Sequence, residues 1–276
     1  MTTSIEPGLS RNQAAVRTNE LDARAEARLY HALRSFWHPV VRSEDLGAAP
    51  QSVELCGERL VAVRLDGDVS VFNDLCAHRG TALSLGAVVE GAVGDELRCP
   101  YHGWQYDSAG RCTLTPQRPE LAGRLRARVR SYPAVERYGL VWVCLSEAPH
   151  FPVPVFPEYS DPAYHHVHFP VVDWNCTAAR RVENYIDVAH FAFVHDGWLG
   201  DIKHPEIAPH KVWREGRALR MVAEDPVRHP ATYSRWEGAQ TSDGMVEVWN
   251  SRWIFMPVTV RLEIRSADRE YVQFFH

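Results

Sequence analysis

Hydrophobic and polar positions along this chain change period several times, and each change marks a predicted element. Residues 1–18 are polar and aperiodic and read as a loose arm. From Glu20 to Phe36, Leu21, Ala25, Leu29, Ala32, Leu33 and Phe36 recur at three- and four-residue steps, with Arg24, Glu26 and Arg28 between them. That spacing gathers the apolar residues on one side of an α-helix. Asn19 is placed to cap it and Pro39 to stop it. From residue 51 the period becomes that of strands. Val53 and Leu55, then Leu60–Leu65, then Val69–Phe72 form short runs, and Asp66-Gly67-Asp68 between the last two signals a tight hairpin. Val88–Arg98 reads as strand, turn and strand, and Trp104–Cys112 as another hairpin. In Leu125–Arg130 apolar and basic residues alternate as in a half-buried strand, and Leu140–Leu145 closes a small all-β unit.

A linker follows, because Pro149, Pro152, Pro154, Pro157 and Pro162 exclude a helix or a central strand. The pattern therefore predicts an arm and helix over residues 1–35, a first domain over 36–148 and a second over 149–276. In the second, His165-His166-Val167-His168 alternates so that His166 and His168 share a face, and nothing nearby completes a metal site. Lone His31 and His38 read as packing or surface residues. Past Gly200, Ala218–Val222, Val246–Trp249, Ser251–Phe255 and Val258–Ile264 predict an antiparallel sheet. Its Trp, Phe and Val residues, turned inward, would wall an apolar pocket for a flat substrate.

Composition narrows the class. The length of 276 residues suits two domains at ~150 residues each. A formal net charge of -5 gives no polybasic footprint, which argues against nucleic acid as a partner. There is no apolar run of roughly 18 residues, so no membrane helix is expected. The first residues lack the basic-then-apolar order of a secretory signal, and the chain reads as soluble and cytoplasmic. Cys56, Cys112, Cys144 and Cys176 are unpaired by any motif and read as small apolar residues.

Two stretches carry chemistry. Cys76-Ala77-His78-Arg79-Gly80 and Cys99-Pro100-Tyr101-His102-Gly103-Trp104 each offer one thiolate and one imidazole. Two cysteines and two histidines can hold zinc or a two-iron cluster. Zinc fingers usually pair like with like along the chain. A Rieske centre puts both cysteines on one iron and both histidines on the other, so each loop must supply one of each. The loops resemble those of the Rieske [2Fe-2S] domain. Thr81 and Tyr101 stand where membrane-bound respiratory members carry a disulfide, so the resemblance is to soluble ferredoxins and oxygenases.

The second stretch is Glu183–His195, with Asn184, Asp187, His190 and His195 in the spacing Asn-x-x-Asp-x-x-His-x-x-x-x-His. It resembles the iron segment of Rieske non-haem iron oxygenases, and Trp198-Leu199-Gly200 is also similar to that family. On an ideal helix a five-residue gap sets two histidines about 140° apart, so the helix must bulge or end near them to serve one ion.

The resemblance implies an α+β chain, an all-β Rieske domain followed by a helix-grip-like antiparallel-sheet catalytic domain, nearest to the demethylase-like oxygenase components. It implies a [2Fe-2S] cluster on Cys76, His78, Cys99 and His102, and mononuclear Fe(II) on His190 and His195. Asn184 belongs to the same motif. Electrons from NAD(P)H would arrive through a separate reductase, with or without a ferredoxin. They would cross to iron through Asp187 of a neighbouring subunit in a homotrimer. There O2 would be used to hydroxylate or demethylate an aromatic or heteroaromatic substrate. A Rieske-type electron-transfer protein is the alternative, and a zinc-stabilised binding module a second. No helix able to supply a third, carboxylate ligand is predicted after His195. Glu263, Asp268 and Glu270 all lie in or beside a strand–turn–strand pattern, with Asp268 in the turn. The catalytic domain is therefore expected to be incomplete at residue 276, with the third ligand beyond it.

Overall fold

Helix α1 covers residues 23–33, and only its last apolar residue, Leu33, is buried. The computed structural model describes residues 23–230, 245–266 and 270–276, so the predicted cap at Asn19 lies outside the described residues. Ala25, Leu29 and Ala32 are exposed, and the predicted apolar stripe is not packed on this chain's own core. Nor does Pro39 end the helix. The backbone turns at residues 34–36, and Trp37–Arg42 is already a strand, β1. Pro39 sits at a register shift in β1, where its missing N–H costs no ladder bond. His38 packs as expected, buried with Nε2 2.9 Å from the Leu33 carbonyl.

The strands that follow are β2 (Gln51–Leu55), β3 (Glu58–Leu65), β4 (Asp68–Asn73), β5 (Ala87–Gly91) and β6 (Gly94–Arg98). Then come β7 (Gln105–Tyr106), β8 (Cys112–Leu114), β9 (Ser131–Tyr132), β10 (Ala134–Arg137) and β11 (Leu140–Cys144). They form three antiparallel sheets in the orders β1-β11-β10, β2-β3-β4-β9 and β5-β6-β7-β8. Two hairpins turn on two residues, both at positive φ: Cys56 and Gly57 at 48° and 76°, Asp66 and Gly67 at 54° and 88°. Such turns match the strand twist and favour glycine second. Cys56 is thus a turn residue, and Cys176 is exposed; only Cys112 and Cys144 are buried as small apolar residues. Leu125–Arg130 does not form the predicted strand. Its alternation is real, with Val129 buried, but its backbone hydrogen bonds are divided among Gly110, Cys112 and Asn73, leaving one isolated bridge, Arg111 to Arg128.

The chain divides into two compact units between Val153 and Pro154. In the second, Pro157–Tyr159 makes a single 3-10 turn that buries Phe156 and Glu158, so this part of the linker is packed. Helices α2 (Ala178–Ile186) and α3 (Phe191–Val194) come next. Strands β12 (His210–Glu215), β13 (Ala218–Ala223), β14 (Val227–Pro230), β15 (Met245–Phe255), β16 (Thr259–Arg265) and β17 (Glu270–Phe275) build one antiparallel sheet. Its order is β12-β13-β15-β16-β17, with β14 also on β15. β12 escaped the pattern because it is almost wholly exposed and shows no apolar alternation. The predicted succession of an all-β unit and an antiparallel-sheet unit with few helices is what the chain adopts.

The apolar wall expected of this sheet is divided between its two faces. Val246, Val248, Asn250, Arg252 and Ile254 of β15 point to one side and are buried. Trp249, Trp253 and Phe255 point to the other. There Trp253 lies under the guanidinium groups of Arg220 and Arg261, at 4.5 and 4.2 Å from the ring centre. Arg261 also binds the buried Glu158, with Nε 2.9 Å from its carboxylate, and pairs with Glu263 at 3.0 Å.

Candidate metal centres

The two cysteine–histidine loops have the same backbone. In the first, the Cys76 N–H donates to Thr81 O at 2.9 Å and the Gly80 N–H to Cys76 O at 2.8 Å. In the second, the Cys99 N–H donates to Trp104 O at 2.8 Å and the Gly103 N–H to Cys99 O at 3.1 Å. Gly80 and Gly103 hold equivalent places at φ 70° and 74°, a left-handed conformation that a side chain would strain. The loop ends are anchored by Leu83 and Leu97, both fully buried in the core that also takes Cys76 and Cys99.

This repeat brings like donors together. The Cys76 and Cys99 thiols are buried neighbours, and burial first, with Cys76 beside it, pushes the Cys99 thiol up. The imidazoles of His78 and His102 meet edge to face, with ring centres 4.6 Å apart. His78 Nδ1 is buried without a hydrogen-bond partner, as a nitrogen meant for a metal would be. Trp104 stacks on His78 at 4.6 Å and 2°, which fixes the ring's plane. Among the described residues no three His, Cys, Asp or Glu side chains converge as one ion would require. A sulfur pair beside a nitrogen pair fits a two-iron cluster, which asks two protein ligands of each iron.

Tyr106 is a member of this site that pattern reasoning missed. Its hydroxyl lies 3.0 Å from Cys76 Sγ and accepts the Ala77 N–H at 3.2 Å. Burial, then the contact with Cys76, pushes its pKa upward, so it stays a neutral donor. Strand alternation in β7 could have turned Tyr106 inward, but nothing in the sequence names the thiol it meets.

In the second unit, α2 ends before the histidines. The Thr177 side chain caps its start, accepting the Arg180 N–H at 3.3 Å. Asp187 caps its end, with its N–H on Glu183 O at 2.9 Å. The Asp187 carboxylate then takes the Ala189 N–H at 2.8 Å and faces His190 Nδ1 at 3.2 Å. With Nδ1 engaged, Nε2 is the free nitrogen of His190. His190 and His195 flank the four-residue α3, and their ring centres lie 5.3 Å apart. The break at Asp187 and the shortness of α3 replace the continuous helix that would have splayed them. At metal–nitrogen bonds of ~2.1 Å the two rings can reach one ion.

Gly200 is a second residue whose part only the fold reveals. It is buried, and a Cβ there would lie 2.5 Å from Phe191 C and O and from Ala192 N. Its N–H, with those of Trp198 and Leu199, converges on His195 O. Asn184 is exposed one turn before Asp187. Glu263 and Glu270 are held by ion pairs with Arg261 and Arg265, and Asp268 lies outside the described residues. His166 stacks on Tyr159 at 4.6 Å, and His165 and His168 are exposed nearby.

Residues 36–133 match the Rieske [2Fe-2S] domain family, and residues 174–276 match the vanillate O-demethylase oxygenase C-terminal domain. Methylxanthine N1-demethylase NdmA of Pseudomonas putida is 41% identical over 201 residues, 70% of this chain and 56% of that protein. Methylxanthine N3-demethylase NdmB of the same organism is 38% identical over 190 residues, 65% of this chain and 54% of that protein. The solved structure of P. putida CBB5 NdmA with caffeine superposes with a TM-score of 0.76 at 34% identity, covering 90% of this chain and 70% of that one. The chain thus spans about half the length of these two curated relatives.

Proposed function

From the premise that this chain belongs to the Rieske non-haem iron oxygenases, in the branch of the demethylase oxygenase components, we propose that it is the oxygenase component of such a system. It would hydroxylate or oxidatively demethylate an aromatic or heteroaromatic substrate with O2. The observation that carries this reading is the coexistence of two donor sets in separate units: paired thiols and paired imidazoles in one, an aspartate-linked histidine pair in the other. An electron carrier would have no use for the second set.

Cys76, Cys99, His78 and His102 would hold the [2Fe-2S] cluster, and His190 and His195 would hold Fe(II). When bound, the cluster would carry single electrons and the iron would supply the O2 chemistry. The protein's own part is positioning. Trp104 and the two glycine turns hold the imidazoles and thiols in register. Tyr106 donates to Cys76 Sγ and draws charge from it. Asp187 keeps the proton of His190 on Nδ1 and presents Nε2. Its carboxylate is half exposed, which supports a further role as contact to a cluster histidine of a neighbouring subunit in a homotrimer. No helix of the described residues is long and apolar enough to cross a membrane, and a cytoplasmic location with a separate NAD(P)H-dependent reductase suits the reading. The Rieske domain is taken as residues 36–148 and the iron domain as 149–276.

The test is direct. The purified chain should be brown and contain acid-labile sulfide and iron. With a reductase, O2 and a panel of N-methyl and O-methyl aromatics the native oxygenase should form formaldehyde or a hydroxylated ring. A colourless protein with one zinc per chain would overturn the cluster. A brown protein whose histidine pair takes up no Fe(II) would leave only the electron-carrier reading.

A further inference from the structure

Leu125–Arg130 has no strand ladder but keeps its alternation, and its two sides differ. Ala127 and Val129 turn inward and pack on the core that also holds Cys76, Cys99 and Tyr106. The backbone is tied there as well: the Cys112 N–H donates to Ala127 O at 3.0 Å and the Val129 N–H to Gly110 O at 2.8 Å. Outward, Arg126, Arg128 and Arg130 are exposed, and exposed Arg124 opens the row from the turn before them.

The row differs from its surroundings in pairing. The arginines on either side are matched, Arg111 by Asp107 at 2.8 Å and Arg118 by Glu120. Arg130 donates to Leu145 O at 3.2 Å and lies over the Tyr132 ring. Among the described residues no carboxylate pairs with Arg124, Arg126 or Arg128. Side chains on one side of an extended chain follow one another at roughly 7 Å. That is within the Debye length at physiological salt, so the three cations repel one another. The whole chain carries a formal charge of -5, yet residues 121–130 hold four arginines and no acid. A positive strip on an acidic protein fits an acidic partner, whose charges would relieve that repulsion.

Three features decide the kind of partner. The residues between the arginines are Leu, Ala and Val, with no aromatic ring on which a base could stack, which disfavours nucleic acid. No large apolar side chain of residues 121–130 is exposed, which suits a brief, charge-steered encounter rather than a permanent interface. The reverse side of the strip reaches the core that bears the two thiols, so a protein seated on it is one layer of chain from them.

We propose that Arg124, Arg126 and Arg128 are the docking strip for the acidic face of the protein that delivers electrons to the cluster. The inference deepens the oxygenase reading by giving its electron donor a surface, and it rests on that reading for the cluster. One electron would leave the reduced donor and enter the cluster, with no atom or proton transferred.

An acidic plant-type [2Fe-2S] ferredoxin serves as the probe, since its potential lies below the Rieske range. Titration calorimetry of the full chain with the oxidised ferredoxin at low salt reads binding without turnover. Replacing Arg124, Arg126 and Arg128 together by Gln should weaken binding about tenfold or more, and raised salt should weaken the parent by a similar factor. The melting temperature and visible spectrum should not change. Arg126→Glu should also bind poorly, whereas Arg214→Glu, the same charge change on the exposed face of β12, should bind as the parent does. With reduced ferredoxin in stopped flow, cluster reduction should slow in step with affinity. Equal affinity in the parent and the triple variant, or no binding by the parent, would overturn the strip. Self-association by sedimentation that the triple variant loses would instead assign the arginines to a second copy of the chain. Salt-sensitive binding of a single-stranded oligonucleotide, lost in the same variant, would assign them to nucleic acid. Failure of the oxygenase reading would show in Fe(II) uptake and product, neither of which enters this comparison.

Discussion

Asp187 Oδ2 stands 3.2 Å from His190 Nδ1, while its other oxygen takes the Ala189 N–H at 2.8 Å. One side chain thus ends a helix and orients an imidazole. Replacing Asp187 by Asn keeps the turn but removes the charge behind the imidazole, and such outer partners commonly change metal-site performance by 10–100-fold. Asp187→Asn should keep a reducible cluster and lose product formation by roughly that factor. Turnover near the parent rate would rule out a role for the carboxylate beyond capping α2.

His102 is assigned to the cluster by its pairing with His78. Histidine ligation raises the potential of a [2Fe-2S] centre far above that of an all-cysteine one. His102→Cys should therefore lower the potential by hundreds of millivolts, on the order of the gap between the two classes, or lose the cluster. Redox-monitored visible spectra decide it, and an unchanged spectrum and midpoint would remove His102 from the site.

At Gly200 the crowding is with backbone, which cannot step aside as a flexible side chain can. Gly200→Ala should cost about 1–3 kcal/mol, as overpacking does. Because the strain falls on the first residues of α3, Fe(II) retention should drop while the cluster spectrum stays the same. Loss of both together would point to general unfolding instead.

Arg261 and Glu158 form a pair largely removed from solvent. Arg261→Met would leave the carboxylate buried alone, which typically costs about 3–5 kcal/mol. Urea unfolding followed by tryptophan emission should register that loss, since Trp253 sits beneath the same guanidinium. A shift within error would mean that water reaches Glu158 in solution.

Burial lowers the His38 pKa, against a smaller opposite effect from its bond to Leu33 O. The unfolded chain therefore binds the proton more readily, and stability must rise with pH. The contribution is complete above the unfolded value of ~6.5 and is lost as the pH falls below it. His38→Gln, which keeps a donor for Leu33 O, should show a smaller drop in melting temperature between about pH 7.5 and pH 5.5 than the parent. Parallel profiles would mean that other groups set the slope.

Local order was legible in the residues wherever period and turn chemistry agreed. Asp66-Gly67 dictated its hairpin because positive φ at two successive positions is a property of those residues. The interleaved Cys-x-His and Cys-x-x-His spacing likewise specifies which donors two loops can offer. Tertiary packing decided the rest, because it depends on partners distant in the chain. Leu125–Arg130 alternates like a strand but divides its backbone bonds among Gly110, Cys112 and Asn73, so it forms no ladder. The two tryptophans of β15 were expected in a pocket, yet cation–π contact with Arg220 and Arg261 holds Trp253 on the opposite face. Alternation tells which residues share a face and not which face is covered. What packs across the sheet makes that choice, and it leaves Asn250 and Arg252 in the interior and Trp249 at the surface.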